Sequence, residues 1–84
     1  MPNNASQAKR LRQSRARRLR NRRVRAEIRT RTKKLLAMTS SEEAEPALSE
    51  LYRILDRATR RNVLKPNTAA RQKARAARHV RDLA

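Results

Sequence analysis

Residues 12–34 carry twelve cationic side chains and a single acid, Glu27, in the stretch RQSRARRLRNRRVRAEIRTRTKK. The stretch contains no glycine and no proline, so no residue in it interrupts a helix. Like charges three and four residues apart each destabilise an isolated helix by roughly 0.2–0.5 kcal/mol. Such a segment is therefore either a disordered tail or a helix whose charge is neutralised by something outside the chain.

The chain as a whole also has a large excess of positive charge. Its 84 residues include 24 Lys and Arg against 7 Asp and Glu, for a formal net charge of +17, and 19 of the cations are Arg. This charge density indicates a polyanionic partner. The Arg excess favours phosphate, because a guanidinium group can bind two phosphate oxygens through parallel hydrogen bonds.

The composition argues against most catalytic and metal-binding chemistry. Cysteine and glycine are absent and His79 is the only histidine, so no thiolate metal site or glycine-rich phosphate loop can form. We therefore expect no enzyme activity, no cofactor, no metal and no small-molecule substrate. No apolar run approaches the length of a membrane span, so we expect no membrane partner. Tyr52 is the only aromatic residue, which disfavours binding of free single strands by base stacking.

Two long helices are predicted in the first two thirds of the chain, since apolar residues recur at helical spacing and no alternating β-branched run is present. The first is predicted to begin at Ser6 as N-cap and to end at Met38 or Thr39. The second is predicted to begin after Ser40 or Ser41, where a cluster of glutamates complements the positive end of the helix dipole.

A third helix is predicted after a short loop. Asn62 should end the second helix, because asparagine tolerates the left-handed conformation in which helices often stop. Pro66 disfavours helix at the residue before it. Asn67 is therefore the predicted N-cap of the third helix. The predicted fold class is all-α, a three-helix bundle with an overlong and highly basic first helix.

The predicted core is aliphatic and lies on one stripe of each helix, closed at one end by two loop residues. Its predicted members are Val24, Ile28, Leu35, Met38, Leu48, Leu51, Leu55, Ala58, Val63, Leu64, Ala69, Ala76, Val80 and Leu83. Thr32 fills a gap in the stripe of the first helix. The predicted flanking residues are Leu36, Ala47, Tyr52, Ile54, Ala70, Ala77 and Ala84.

The three helices differ greatly in predicted length. A first helix of about 33 residues spans roughly 50 Å, whereas the other two span about half of that. We therefore predict a single domain over residues 1–84, with residues 6–22 as a projecting basic arm. This arm is predicted to be frayed in the free protein, because no partner helix reaches it.

Charge is divided along the chain into three regions. Residues 1–38 have a net charge of +13, residues 39–56 of −4 and residues 57–84 of +8. Two basic helices flanking an acidic region favour nucleic acid, and a folded RNA is recognised mainly through shape, phosphate and 2′-hydroxyl groups. The cations predicted to contact RNA are Arg12, Arg15, Arg18, Arg22, Arg25, Arg29, Arg71, Lys73, Arg75 and Arg78.

Two alternatives remain open on these grounds. A histone-like DNA-compacting protein would have a similar charge. A membrane-active cationic helix is disfavoured, because the first half of the first helix has too few leucines for a broad apolar face.

Several short motifs resemble the bacterial small-subunit ribosomal protein S20 family. They are Arg12-Gln13, Arg20-Asn21, Arg29-Thr30 with Lys33-Lys34, Leu55-Asp56 with Ala58, and Asn67 with Ala69-Ala70-Arg71 and Lys73. Each is weakly specific, but their order and spacing cover nearly the whole chain. The chain differs from the family pattern in having Asn62 at a position where the family normally has glycine.

The resemblance implies a structural component of the small ribosomal subunit that binds small-subunit ribosomal RNA directly and supports its folding and assembly. The implied contacts lie in the 5′ domain and at the lower end of the long penultimate helix of that RNA, beside other small-subunit components. Motif matches add Asn21, Thr30, Lys33, Lys34 and Asn67 to the candidate RNA-binding residues. The implied location is cytoplasmic and ribosome-associated.

Overall fold

Three α-helices account for almost all of the computed structural model, which describes residues 2–84, with side chains from residue 5 onward. Helix α1 spans Pro2–Ala37, α2 spans Ser41–Arg60 and α3 spans Pro66–Leu83. No strand occurs within residues 2–84. Helix α2 packs on α3 more extensively than either packs on α1. The predicted all-α three-helix bundle with an overlong first helix is confirmed.

The predicted start of α1 is wrong. The helix begins at Pro2, and Ser6 lies inside it instead of capping it. Proline suits the first position of a helix, because the N–H that it lacks would have no partner there and its φ is already helical. The helix ends at Ala37, one residue before the predicted Met38, whose N–H still bonds to the carbonyl of Leu35 at 3.1 Å.

Helix α2 starts where the sequence predicted. Ser40 is the N-cap in an extended conformation, and its carbonyl accepts the N–H of Ala44 at 3.0 Å. Glu42 and Glu43 occupy the first turn, where negative charge is favourable. Pro46 lies one turn further in and leaves the helix unbroken.

Asn62 ends α2 as predicted, in a left-handed conformation with φ of 61°. Around it, Val63 N–H bonds to the Ala58 carbonyl at 2.9 Å and Asn62 N–H bonds to the Thr59 carbonyl at 3.0 Å. These two bonds form a Schellman motif, which satisfies carbonyls that would otherwise lack partners at the end of the helix. Val63 is buried against the core, so the stop signal also positions the loop that closes the bundle.

The predicted N-cap of α3 is wrong by two residues. Lys65 is the N-cap, with φ of −74° and ψ of 147°, and Pro66 occupies the first turn. Asn67 therefore lies within the helix and is exposed. Proline disfavours helical geometry at the residue before it and suits the first helical position, so Pro66 sets the boundary more strongly than an asparagine cap does.

The core matches the predicted stripes with few exceptions. Leu35 and Leu55 are fully buried, and Leu51 is 1% exposed. Ala44 was not predicted but is also fully buried, because it precedes Leu48 and Leu51 on the same stripe of α2. Of the predicted core members, these lie in or against the cluster: Val24, Ile28, Leu35, Met38, Leu48, Leu51, Leu55, Ala58, Val63, Leu64, Ala76, Val80 and Leu83. Ala69 is buried too.

Two predicted flanking alanines of α3 do not pack in the core. Ala70 and Ala84 are exposed, while Ala77 is half-buried. Ala70 is displaced around the helix from the stripe that contains Ala69, and Ala84 follows the last residue of α3, which explains their exposure.

The long first helix gives the molecule an elongated shape, with extents of 64 × 20 × 13 Å. From Ala5 to Arg20 every side chain except Ser14 is exposed. Burial starts at Asn21 and Val24 and is complete at Ile28 and Leu35. The packing surface of α1 thus belongs to its C-terminal half.

Candidate nucleic-acid interface

A row of cations runs along one face of α1, and the C-terminal part of this row borders α3. Spacings of four, three, four and four residues place these side chains on one face of the helix. All of them are exposed. The members of the row are Arg18, Arg22, Arg25, Arg29 and Lys33. A shallow depression lies among its first four members, beside Asn21 and Ala26.

An open groove of about 540 Å³ lies between α1 and α3. Four cations line it, three from α1 and one from α3: Arg25, Arg29, Lys33 and Arg75. The apolar residues that line it are Ile28, Leu36 and Leu64, and the polar ones are Thr32 and Gln72. We call this feature the α1–α3 groove. It brings four of the predicted RNA-binding residues together around an apolar floor.

Arg25 is held in place at the edge of the α1–α3 groove. Its Nη2 atom donates a hydrogen bond to the carbonyl oxygen of Val63 at 3.2 Å. This bond ties α1 to the loop between α2 and α3. A guanidinium has five N–H donors, so one such bond leaves capacity for phosphate. Arg25 is therefore both a structural link and an oriented cation.

Helix α3 presents most of its predicted contacts on the face opposite the core. Asn67, Arg71 and Arg78 are exposed and share one stripe, being four and seven residues apart. Arg75 lies nearer α1 and lines the groove. The cations of α3 thus extend the basic surface beyond the groove.

Lys73 lies apart from the other predicted contacts. It forms an ion pair with Asp56 of α2, and its Nζ is 5.3 Å from the centroid of the Tyr52 ring. The Tyr52 hydroxyl donates to the Lys73 carbonyl at 3.4 Å. Tyr52 is half-buried between the two helices, which agrees with its predicted place at the edge of the core. Lys73 therefore has an internal role in joining α2 to α3.

The remaining predicted contacts lie on other faces of α1. Arg12 and Arg15 are exposed in the region of α1 that has no packing partner. Thr30 donates a hydrogen bond to the Ala26 carbonyl at 2.9 Å and lies beside Lys34 on an exposed face. Asn21 is half-buried, and its Oδ1 has no hydrogen-bond partner among residues 5–84. Cations therefore surround α1 and are not confined to one face.

Several groove residues could not be identified as site residues from the sequence. The sequence pattern places Thr32 and Leu36 at core or flanking positions of α1. It places Leu64 in the loop that closes one end of the core. Gln72 has no distinguishing signal. These residues line one groove only because of how α1 packs against α3. The periodicity within a single helix does not predict that packing.

His79 lies near the C-terminal end of α1, away from the loop between α2 and α3. Its Nε2 is 3.1 Å from the Met38 carbonyl, so it links α3 to the end of α1. Within the part of the chain that the structure describes, no cluster of three His, Cys, Asp or Glu could hold a metal ion. No helix among the same residues is long and apolar enough to cross a membrane.

Comparison with known proteins gives a consistent result over the whole chain. The family model described as ribosomal protein S20 matches residues 2–81. A small ribosomal subunit protein bS20 from Kosmotoga olearia is 42% identical over 79 residues, which cover 89% of this chain and 81% of the relative. Proteins of the same name from Parabacteroides distasonis and Porphyromonas gingivalis are 38% and 39% identical over 84 residues, covering all of both chains in each case. The chain therefore belongs to the ribosomal protein S20 family.

Proposed function

We propose that this protein is a structural, non-enzymatic component of the small ribosomal subunit, and that it binds small-subunit ribosomal RNA directly and supports its folding and assembly. The α1–α3 groove carries the proposal, because two helices separated in sequence place four cations around it. Phosphate bound there would offset the repulsion among these cations and release counterions from the RNA. The names of the relatives support the location in the small subunit.

The proposed contact residues form two groups. The groove and the adjoining row on α1 would bind one segment of RNA backbone through Arg18, Arg22, Arg25, Arg29, Lys33 and Arg75. The surrounding faces would contact neighbouring segments through Arg12, Arg15, Asn21, Thr30, Lys34, Asn67, Arg71 and Arg78. Lys73 belongs to neither group. It would contact RNA while it remains paired with Asp56 of α2.

Residues 6–22 are proposed to act as a basic arm that inserts into RNA. Arginines occur around its whole circumference, and none of its charged side chains is buried. A helix of this kind is best neutralised when phosphates lie on more than one side. This supports contacts with two RNA regions, which we propose are the 5′ domain and the lower end of the long penultimate helix. The protein would then be cytoplasmic and ribosome-associated.

A competition assay tests the proposed RNA preference against DNA compaction. Labelled 5′-domain RNA is bound to the protein and displaced by unlabelled RNA or by duplex DNA with the same number of phosphates. We expect RNA to compete at least about tenfold better, because the A-form geometry and 2′-hydroxyl groups are absent from DNA. Equal competition would favour the histone-like alternative.

A matched pair of variants tests the groove as the location of binding. Arg29→Gln and Arg53→Gln each remove one positive charge from an exposed helical position. Arg29 lines the groove, whereas Arg53 lies on the acidic helix α2, 3.7 Å from Glu50. We expect Arg29→Gln to weaken RNA binding several-fold more than Arg53→Gln. Equal losses would mean that only net charge matters.

A further inference from the structure

We infer that the α1–α3 groove binds one unstacked nucleotide of the RNA, with its base against the apolar floor and its phosphate among the surrounding cations. This inference rests on the proposed RNA-binding function and specifies what the groove recognises. It concerns a bulged or looped-out residue, because a base inside a paired helix cannot reach a floor between two protein helices.

The shape of the groove differs from that of a plain phosphate-binding surface. Backbone contacts need only exposed cations, such as those that surround the rest of α1. Here four cations line an open groove whose volume, about 540 Å³, lies within the range of small-molecule pockets. Its floor is apolar, with Ile28 4% exposed and Leu36 and Leu64 half-buried. An apolar floor with cations on both sides matches a ligand that has a flat, weakly hydrated part and an anionic part.

The groove also has the polar groups that a nucleobase requires. Gln72 has an amide that both donates and accepts hydrogen bonds. The Oγ1 atom of Thr32 is buried and has no hydrogen-bond partner among residues 5–84. Buried polar atoms without partners are uncommon, and rotation of the Thr32 side chain toward the groove would let the edge of a base supply the missing bond. No aromatic ring lines the groove, so one face of the base would pack on the apolar floor and the other would stack on an arginine guanidinium group.

One wall of the groove is tied to the bundle by a hydrogen bond before any ligand arrives. Arg25 is fixed by its bond to the Val63 carbonyl, and Val63 itself is held by the helix-ending motif at Asn62. Leu64, the next residue, lines the groove. Preorganisation of this kind reduces the entropy lost on binding.

Three RNA hairpins with the same stem provide the test. One is fully paired, one has a single bulged adenosine and one has an abasic residue at the bulge. We expect the bulged hairpin to bind about tenfold more tightly than the other two, and the abasic hairpin is the decisive comparison because it differs from the bulged one only by the base. Methyl resonances of Leu36 and Leu64 should shift with the bulged hairpin and not with the abasic one.

A groove-filling variant provides the matched control. Gln72→Trp fills the groove without changing the charge, and Ser49→Trp adds the same side chain to an exposed site on α2. We expect Gln72→Trp to abolish the preference for the bulged hairpin while retaining affinity for the paired one. Ser49→Trp should behave as the parent. The methyl shifts of the parent protein remain decisive if Gln72→Trp fails to fold.

The two proposals fail in different ways. If all three hairpins bind equally, and the methyl shifts do not depend on the base, the nucleotide site is contradicted and RNA binding stands. If neither the hairpins nor 5′-domain RNA bind the protein, the proposed function itself is contradicted.

Discussion

Individual arginines of this protein differ in what they contact, although they are chemically identical. Arg31 pairs with Glu27 one turn away at 3.2 Å, an exposed pair that contributes at most about 1 kcal/mol. Arg25 instead bonds across 38 residues of sequence to the Val63 carbonyl. Arg22 is exposed on the same row and has no bond of this kind among the described residues. Position in the fold thus decides which cations also stabilise the bundle.

Arg25→Lys tests this structural role, because it retains the charge and removes the guanidinium. We expect the free energy of unfolding to fall by about 1 kcal/mol, the usual net contribution of one hydrogen bond. The measurement is chemical denaturation of the free protein. Arg22→Lys is the matched control and should leave the unfolding curve unchanged. An equal effect of the two substitutions would show that the bond to Val63 contributes nothing.

Helix ends in this chain are set by backbone chemistry more than by side-chain caps. Ser6 and Asn67 are good N-cap residues, yet the helices begin at Pro2 and Pro66. The sequence therefore predicted the number and order of the helices but missed two of the starts. The end of α2 was predictable, because Asn62 is followed by an apolar residue that can close a Schellman motif.

Asn62→Ala should destabilise the bundle by about 1–2 kcal/mol, since alanine has a steric cost at positive φ that asparagine tolerates better. Asn62→Gly should equal or exceed the stability of the parent, because glycine adopts this conformation freely. Thermal unfolding measures both. Asn67→Ala provides the control at an exposed helical position, and a loss there as large as that of Asn62→Ala would contradict the argument.

Leucine burial differs sharply between the helices. Leu55 of α2 is fully buried, whereas Leu19 of α1 is 50% exposed. We expect Leu55→Ala to cost roughly 2–5 kcal/mol and Leu19→Ala to cost far less. Calorimetry on the two variants tests this difference. Because a domain of this size has little stability to lose, Leu55→Ala should be largely unfolded at physiological temperature. If Leu55→Ala unfolds at the same temperature as the parent protein, the assigned core is wrong.

The N-terminal part of α1 is helical in the structure but has no packing partner, so we propose that RNA stabilises it. We predict that residues 8–20 exchange their amide protons much faster than residues 48–58 in the free protein. Addition of 5′-domain RNA should slow exchange in the first segment. Ordering costs on the order of 1–2 kcal/mol per residue, which phosphate contacts must offset. Equal protection of both segments without RNA would show that the arm is preformed.

At the scale of the whole molecule, charge is easier to predict from sequence than shape is. The net charge of +17 can be counted directly, and the predicted helix boundaries already indicated a basic three-helix bundle with one overlong helix. The core stripes followed from periodicity, apart from Ala44, which is hidden among glutamates. The α1–α3 groove could not be predicted, since it requires the relative placement of residues from three parts of the chain, such as Arg29, Leu64 and Arg75.

The salt dependence of RNA binding is the most direct measurement of whether phosphate neutralises this charge. The affinity of the full chain for 5′-domain RNA is measured over a series of salt concentrations. If about five phosphates are neutralised, the logarithm of the association constant should fall against the logarithm of salt with a slope steeper than about −4. A slope near zero would contradict the account, because the self-repulsion of the arginines would then have no counterpart in the complex.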